Sequence, residues 1–131
     1  TKLFSKKNND FYDDYAHHPT EIKSILSSVK NVYDKRKIIA VFEPHRYSRI
    51  ASLKKEFSKS FSKADLVIMC PLYAAGEKKN SNFNLTNFGK YVCKEWYGKP
   101  ASSIFEEPFA LFVKTISKIF EAIIASLPNV S

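Results

Sequence analysis

Lys37-Ile38-Ile39-Ala40-Val41-Phe42-Glu43-Pro44-His45-Arg46-Tyr47-Ser48-Arg49 is the stretch on which the fold turns. Five consecutive apolar residues, Ile38 to Phe42, sit between the charge of Lys37 and the break at Pro44. An unbroken apolar run of that length suits a strand covered on both faces, as in a parallel sheet. A helix is expected after it, with Ser48 as its N-cap and Ile50, Leu53, Phe57 and Phe61 along one side.

The same alternation extends in both directions. Upstream, Phe11-Tyr12-Asp13-Asp14-Tyr15 reads as a short strand. Pro19 then opens a helix, in the first turn where its missing N–H costs nothing, and Ile22, Ile25, Leu26 and Val29 follow on one face. Downstream, Leu66-Val67-Ile68-Met69-Cys70 is a second continuous apolar run, stopped by Pro71. A loop rich in Lys, Asn and Ser is expected from about Ala74 to Asn84 and a helix from about Leu85 to Trp96. Ser103-Ile104-Phe105 suggests a fourth strand. Phe109, Phe112, Val113, Ile116, Ile119, Phe120, Ile123 and Leu127 suggest a long amphipathic helix starting near Pro108. This order predicts a single α/β domain over residues 1–131, with an open, mostly parallel Rossmann-like sheet, helices on both faces and right-handed crossovers.

Composition narrows the function classes. With 44% hydrophobic and 15% aromatic residues the chain is too apolar for a solvated coil. No run approaches the ~18–20 apolar residues of a membrane span. Two cysteines, Cys70 and Cys93, do not make a disulfide scaffold and are expected to be reduced thiols. The chain opens at Thr1 without a signal peptide, which suggests a piece of a longer cytosolic protein. The net charge of +8 raises nucleic acid as a partner. All but three of the 21 basic residues are scattered lysines, however, so a solvated surface is the better account.

The informative polar residues follow the expected strands. Asp14-Tyr15-Ala16-His17-His18-Pro19-Thr20 follows the first, Glu43 to Arg49 the second, and Pro71-Leu72-Tyr73-Ala74-Ala75-Gly76-Glu77 the third. All three histidines and two of the three arginines fall in two of these turns, and ligands of open α/β sheets bind at the carboxyl ends of strands. Each feature also has a structural account. Asp13 and Asp14 could start a turn, His17 and His18 could cap a helix, and Tyr47 and Tyr73 could simply pack. Arg46 and Arg49 in a first helical turn oppose the macrodipole unless an anion is near. No metal-site spacing is present, and Cys70, ending a buried run, is a poor nucleophile. Neither G-x-x-x-x-G-K-[ST] nor G-x-G-x-x-G occurs, so the chain is not expected to cradle a nucleoside triphosphate by itself in the usual way.

Taken together, Asp13-Asp14-Tyr15-Ala16-His17-His18-Pro19-Thr20-Glu21-Ile22, Pro44-His45-Arg46-Tyr47-Ser48-Arg49 and Tyr73-Ala74-Ala75-Gly76-Glu77 resemble the C-terminal domain of Mur ligases. The nearest type joins L-alanine to UDP-N-acetylmuramate. The likeness is strong from about Phe11 to Glu77. Ala16 stands where this type usually has Gly, and Glu43 where Gln is common. The apolar strand and Gly-Ala-Gly turn that usually end the family domain do not occur before Ser131; either the native protein lacks that strand or the sequence is cut before it, and both options leave the last strand of the sheet open.

The resemblance implies an ATP-dependent acid–amino-acid ligase of peptidoglycan precursor synthesis, cytoplasmic, with this domain inactive alone. The implied partners are its own N-terminal and central ATPase domains, UDP-N-acetylmuramate, L-alanine and ATP. Mg²⁺ would sit on the central domain and no metal on this one; neither membrane nor nucleic acid is implied. The residues implied to act are His17 and Arg46 as catalytic, Asp14 and His17 as nucleotide- and phosphate-binding, and Tyr15, His45, Arg46 and Arg49 as amino-acid-binding. A sibling Mur-type ligase adding another amino acid, or a basic nucleic-acid-binding α/β module, are the alternatives.

Overall fold

A computed structural model describes residues 1–6, 8–92 and 109–113. Its five strands are β1 (Lys2–Lys6), β2 (Asn9–Asp13), β3 (Lys37–Phe42), β4 (Leu66–Met69) and β5 (Phe109–Val113). The helices are α1 (Pro19–Val32), α2 (Tyr47–Ser52), α3 (Lys54–Ser60) and α4 (Leu85–Val92). The sheet order is β1-β2-β5-β3-β4. Strands β2, β5, β3 and β4 run parallel, and β1 is an antiparallel edge strand on β2. The chain is thus α/β with a small, mostly parallel sheet.

Why these segments fold this way is visible locally. β3 carries its apolar residues on both faces. Ile38, Ala40 and Phe42 join the cluster under the helices, while Ile39 and Val41 are equally buried outside it. α1 begins at Pro19 behind a capping box, in which His18 Nδ1 accepts from Thr20 N at 3.3 Å and Glu21 Oε2 accepts from His18 N at 3.0 Å. Ile22, Leu26 and Val29 form its buried face. Phe42, Phe57, Phe61 and Phe88 interlock beneath α3 and α4, with ring centroids 5.2–5.9 Å apart in the Phe42–Phe61, Phe42–Phe57 and Phe57–Phe88 pairs. Truncating Phe57 at the centre of that set would cost about 3–5 kcal/mol.

The steps β2 to β3 and β3 to β4 cross the sheet in the same direction, so crossovers of one hand put α1 and α3 on the same face. They pack against each other there, and α4 packs on α3. Among the described residues the helices share that one face.

Several expectations are corrected. Residues Phe109–Val113 form a strand, not the start of a helix. Five apolar residues in a row fit either state, and here the gap between β2 and β3 selects the strand. The rest of that expected helix, from Ile116 to Leu127, lies outside the described residues, as do the strand at Ser103–Phe105 and the end of the helix drawn to Trp96. The first strand runs Asn9–Asp13 instead of Phe11–Tyr15, because Asp14 Oδ1 accepts from Ala16 N at 2.9 Å and turns the chain. Ser48 is not the N-cap of the second helix; Arg46 is. That helix is two helices meeting at Leu53, although Ile50, Phe57 and Phe61 still share the buried side. β1 escaped the sequence reading altogether; it folds back on β2 through Asn8, whose φ of 62° is one that Asn tolerates.

Candidate functional site

The parallel register puts the carboxyl ends of β2, β3, β4 and β5 on one rim: Asp13 is level with Val113, Val113 with Val41, and Phe42 with Met69. Among the described residues, loops leave that rim after β2, β3 and β4. Pairing continues past the ends of β3 and β4. Cys70 N donates to Phe42 O (2.8 Å), Tyr73 N to Pro44 O (2.8 Å) and Arg46 N to Tyr73 O (2.9 Å). This extra register lays the His45 ring on the Tyr73 ring, 4.8 Å between centroids. The loop after β2 reaches across to them. His17 lies 6.1 Å from His45, and Tyr15 meets His17 edge-on at 5.3 Å. The outcome is a line of four rings, Tyr15–His17–His45–Tyr73, with the outer two the most exposed, at 68% and 54%.

His17 is held in one tautomer. Its Nδ1 lies 3.0 Å from Tyr15 O, and a carbonyl only accepts, so Nδ1 carries the proton and Nε2 is left for a ligand. Its backbone N–H donates to Glu21 Oε2 at 3.0 Å. That backbone bond and the one from His18 N hold the Glu21 carboxyl below the usual carboxylate range. His18 serves as the cap of α1, which separates the roles of the adjacent histidines.

Arg46 is exposed, with its backbone at φ 67° and ψ 128°, a conformation that non-glycine residues rarely take. Arg49 is half-buried one helical turn on, and its Nη1 donates to His45 O at 3.4 Å. For Arg46 the anion that a cation at a helix start calls for is partly internal: Glu77, in the loop after β4. Its carboxylate accepts from Ser48 Oγ and, at 3.2 Å, from Ser48 N. The Ser48 hydroxyl, backbone N–H groups and the charge of Arg46 hold Glu77 below the usual carboxylate range. In the sequence Glu77 stands only as the end of the loop after the third apolar run, with no chemical role assigned to it, and the Ala75-Gly76 turn directly before it is its local signal.

Asp14 spends one carboxylate oxygen on Ala16 N at the same rim. Cys70, buried at the end of β4, is no nucleophile; burial, with the Glu43 carboxylate nearby, pushes its thiol up to about 11. Among the described residues no group of three or more His, Cys, Asp or Glu could hold a metal ion, and no helix is long and apolar enough to cross a membrane. A cavity of about 340 Å³ lies between α2 and the loop before α4, lined by Tyr47, Lys54, Phe83 and Phe88 among others. Neither the four rings' histidines nor Arg46 and Arg49 line it.

Residues 2–95 match the family model of the Mur ligase, glutamate ligase domain. The chain belongs to this family. This Mur ligase domain is 53% identical over 93 residues to UDP-N-acetylmuramate–L-alanine ligase of Pelagibacter ubique, covering 71% of this chain and 20% of that protein. It is 58% identical over 76 residues to the ligase of the same name from Brachyspira hyodysenteriae, covering 58% of this chain and 16% of that protein. The Mur ligase domain therefore spans a fifth or less of the curated relatives it matches. Its fold is shared by a Haemophilus ducreyi domain assigned to a UDP-N-acetylmuramate:L-alanyl-gamma-D-glutamyl-medo-diaminopimelate ligase. That match has a TM-score of 0.53 at 20% identity and covers 92% of this chain and 89% of the other.

Proposed function

We propose that this is the C-terminal domain of an ATP-dependent UDP-N-acetylmuramate–L-alanine ligase, working in the cytoplasm on a peptidoglycan precursor. One observation carries the reading: relatives more than half identical to this domain bear that name. The domain's own part is to close, with its Rossmann-like rim, over ATP held by a central ATPase domain. An N-terminal domain would hold the UDP-sugar, and Mg²⁺ would sit on the central domain.

The reaction has two steps. A carboxylate oxygen of UDP-N-acetylmuramate attacks the γ-phosphorus of ATP, ADP leaves, and an acyl phosphate forms. The L-alanine nitrogen then attacks the acyl carbon, gives up a proton, and the tetrahedral intermediate expels phosphate to leave an amide. The side chains on the rim suit the charges involved. Asp14 has an oxygen free of the Ala16 bond to accept from a nucleotide hydroxyl. His17 offers Nε2 to a phosphate oxygen. Arg46 and Arg49 supply cations for the amino-acid carboxylate or phosphate, with His45 and Tyr15 as further amino-acid contacts. Each charge-assisted bond is worth about 1.5–3 kcal/mol. Closure also keeps water from the acyl phosphate.

The test is phosphate release by the full-length enzyme. Release that requires UDP-N-acetylmuramate and L-alanine together supports the reading. Release that prefers another amino acid across a panel makes the protein a sibling ligase, and release without any amino acid ends the assignment.

A further inference from the structure

We infer that Glu77 is a positioning residue: it locks the turn that carries Arg46, so that the arginine meets the anionic group of a substrate in a fixed pose. The inference rests on the reading of Arg46 proposed above.

Three observations converge on it. Arg46 is the N-cap of α2 yet offers no side-chain cap, and its φ of 67° is strained for a residue with a Cβ. Such a conformation persists only where its surroundings over-determine it. Here the restraint comes from the loop after β4. Tyr73 fixes the backbone on one side of the strain through Arg46 N–H···O (2.9 Å). Glu77 fixes the other side by accepting from both Ser48 N and Ser48 Oγ, in place of the missing cap.

The loop is shaped to deliver that carboxylate. Ala75 and Gly76 take φ values of 53° and 87° in succession, and Glu77 N donates back to Ala74 O at 3.1 Å. Two consecutive left-handed residues reverse the chain and point the next residue at α2. Gly76 has nothing within 4 Å of where a Cβ would stand, so it is the backbone angle that calls for glycine there. Glu77 thereby ties the β4 loop to the β3 loop, and Arg46 lies between the two ties. A long side chain held at its base loses less freedom when it binds, which is how a distant carboxylate lowers the KM of an anion it never touches.

The group on Arg46 is a carboxylate or a phosphate, and separate KM values for L-alanine and ATP identify which. In the full-length enzyme, Glu77→Ala is expected to raise one of these two KM values by about fivefold to twentyfold and leave the other near wild type. Glu77→Gln keeps an oxygen for Ser48 N and is expected to retain most of the affinity; it also serves if the alanine variant does not fold. The decisive readout is the double variant Arg46→Ala with Glu77→Ala. If Glu77 acts through Arg46, the double variant is no worse than Arg46→Ala alone. Multiplicative losses, or a folded Glu77→Ala enzyme with both KM values unchanged, overturn the inference while leaving the Arg46 reading in place. An Arg46→Ala enzyme with unchanged kinetics overturns both.

Discussion

His17 and His45 lie 6.1 Å apart, centroid to centroid, although the strands they follow, β2 and β3, are not neighbours. β5 runs between them, so those strands are about 9–10 Å apart. The loops close the gap. The Asp14 turn and the α1 cap draw the first inward, and pairing with Tyr73 pins the second.

Rings in contact share their consequences. In the full-length enzyme, the losses in kcat/KM from His17→Ala and His45→Ala should not add. We expect a coupling of about 0.5–3 kcal/mol in a double-mutant cycle. Strictly additive losses would mean that the two rings serve separate steps.

At the opposite end of β2, Asp10 predicts an acid-labile component of stability. Burial alone would raise its pKa, but hydrogen bonds from Lys2 (2.8 Å), Ser5, Arg36 (2.5 Å) and Tyr33 outweigh burial and hold it well below the ordinary 3.8. A folded pKa below the unfolded one contributes stability above the unfolded value. That stability drains away as the pH falls below 3.8 toward the folded value. Asp10→Asn should cost about 3 kcal/mol at pH 7, since it leaves the Arg36 charge half-buried and poorly compensated. The variant should also lose the extra acid sensitivity in urea melts taken between pH 7 and pH 3. Equal acid slopes for both proteins would remove Asp10 from the account.

Much of this was legible in the sequence, for physical reasons. The Pro19 helix start and the apolar face of α1 are local patterns whose period admits one solution, and the β3 run is held to strand length by Lys37 before it and Pro44 after it. The rim was legible because polar residues directly after a buried strand have nowhere else to go. What escaped was decided at long range. Phe109–Val113 fits two periods, and only the slot between β2 and β3 selects the strand. Glu77 meets Ser48 across 29 residues of chain, a pairing that no local spacing announces. A cation in a first helical turn calls for an anion, and for Arg46 Glu77 meets part of that need from within.

The purified 131-residue chain should show no ATP hydrolysis above background. Its three glycines, Gly76, Gly89 and Gly98, are too dispersed for a phosphate loop of the usual kind. Phosphate release assayed with Mg-ATP checks this. Turnover that survives repurification would place a complete nucleotide site within this chain.

Arg46→Ala should impair catalysis in the full-length enzyme without unfolding it. The side chain is exposed at the carboxyl rim, where a cation adds little to folding but much to the binding of an anion. Losing one charge-assisted contact should cost about 1.5–3 kcal/mol, roughly 10- to 150-fold in kcat/KM. Arg46→Lys should recover only part of this, because an ammonium on a flexible stem does not reproduce a planar two-pronged donor. Backbone strain adds a second expectation. At φ 67° a glycine carries no Cβ penalty, so Arg46→Gly should melt no lower than Arg46→Ala while matching its kinetic loss. Comparing the three variants at matched thermal stability separates the guanidinium's chemistry from the turn's conformation. If Arg46→Ala keeps wild-type turnover and wild-type KM for ATP and L-alanine, Arg46 is a surface residue and the anion clamp must be sought elsewhere on the rim.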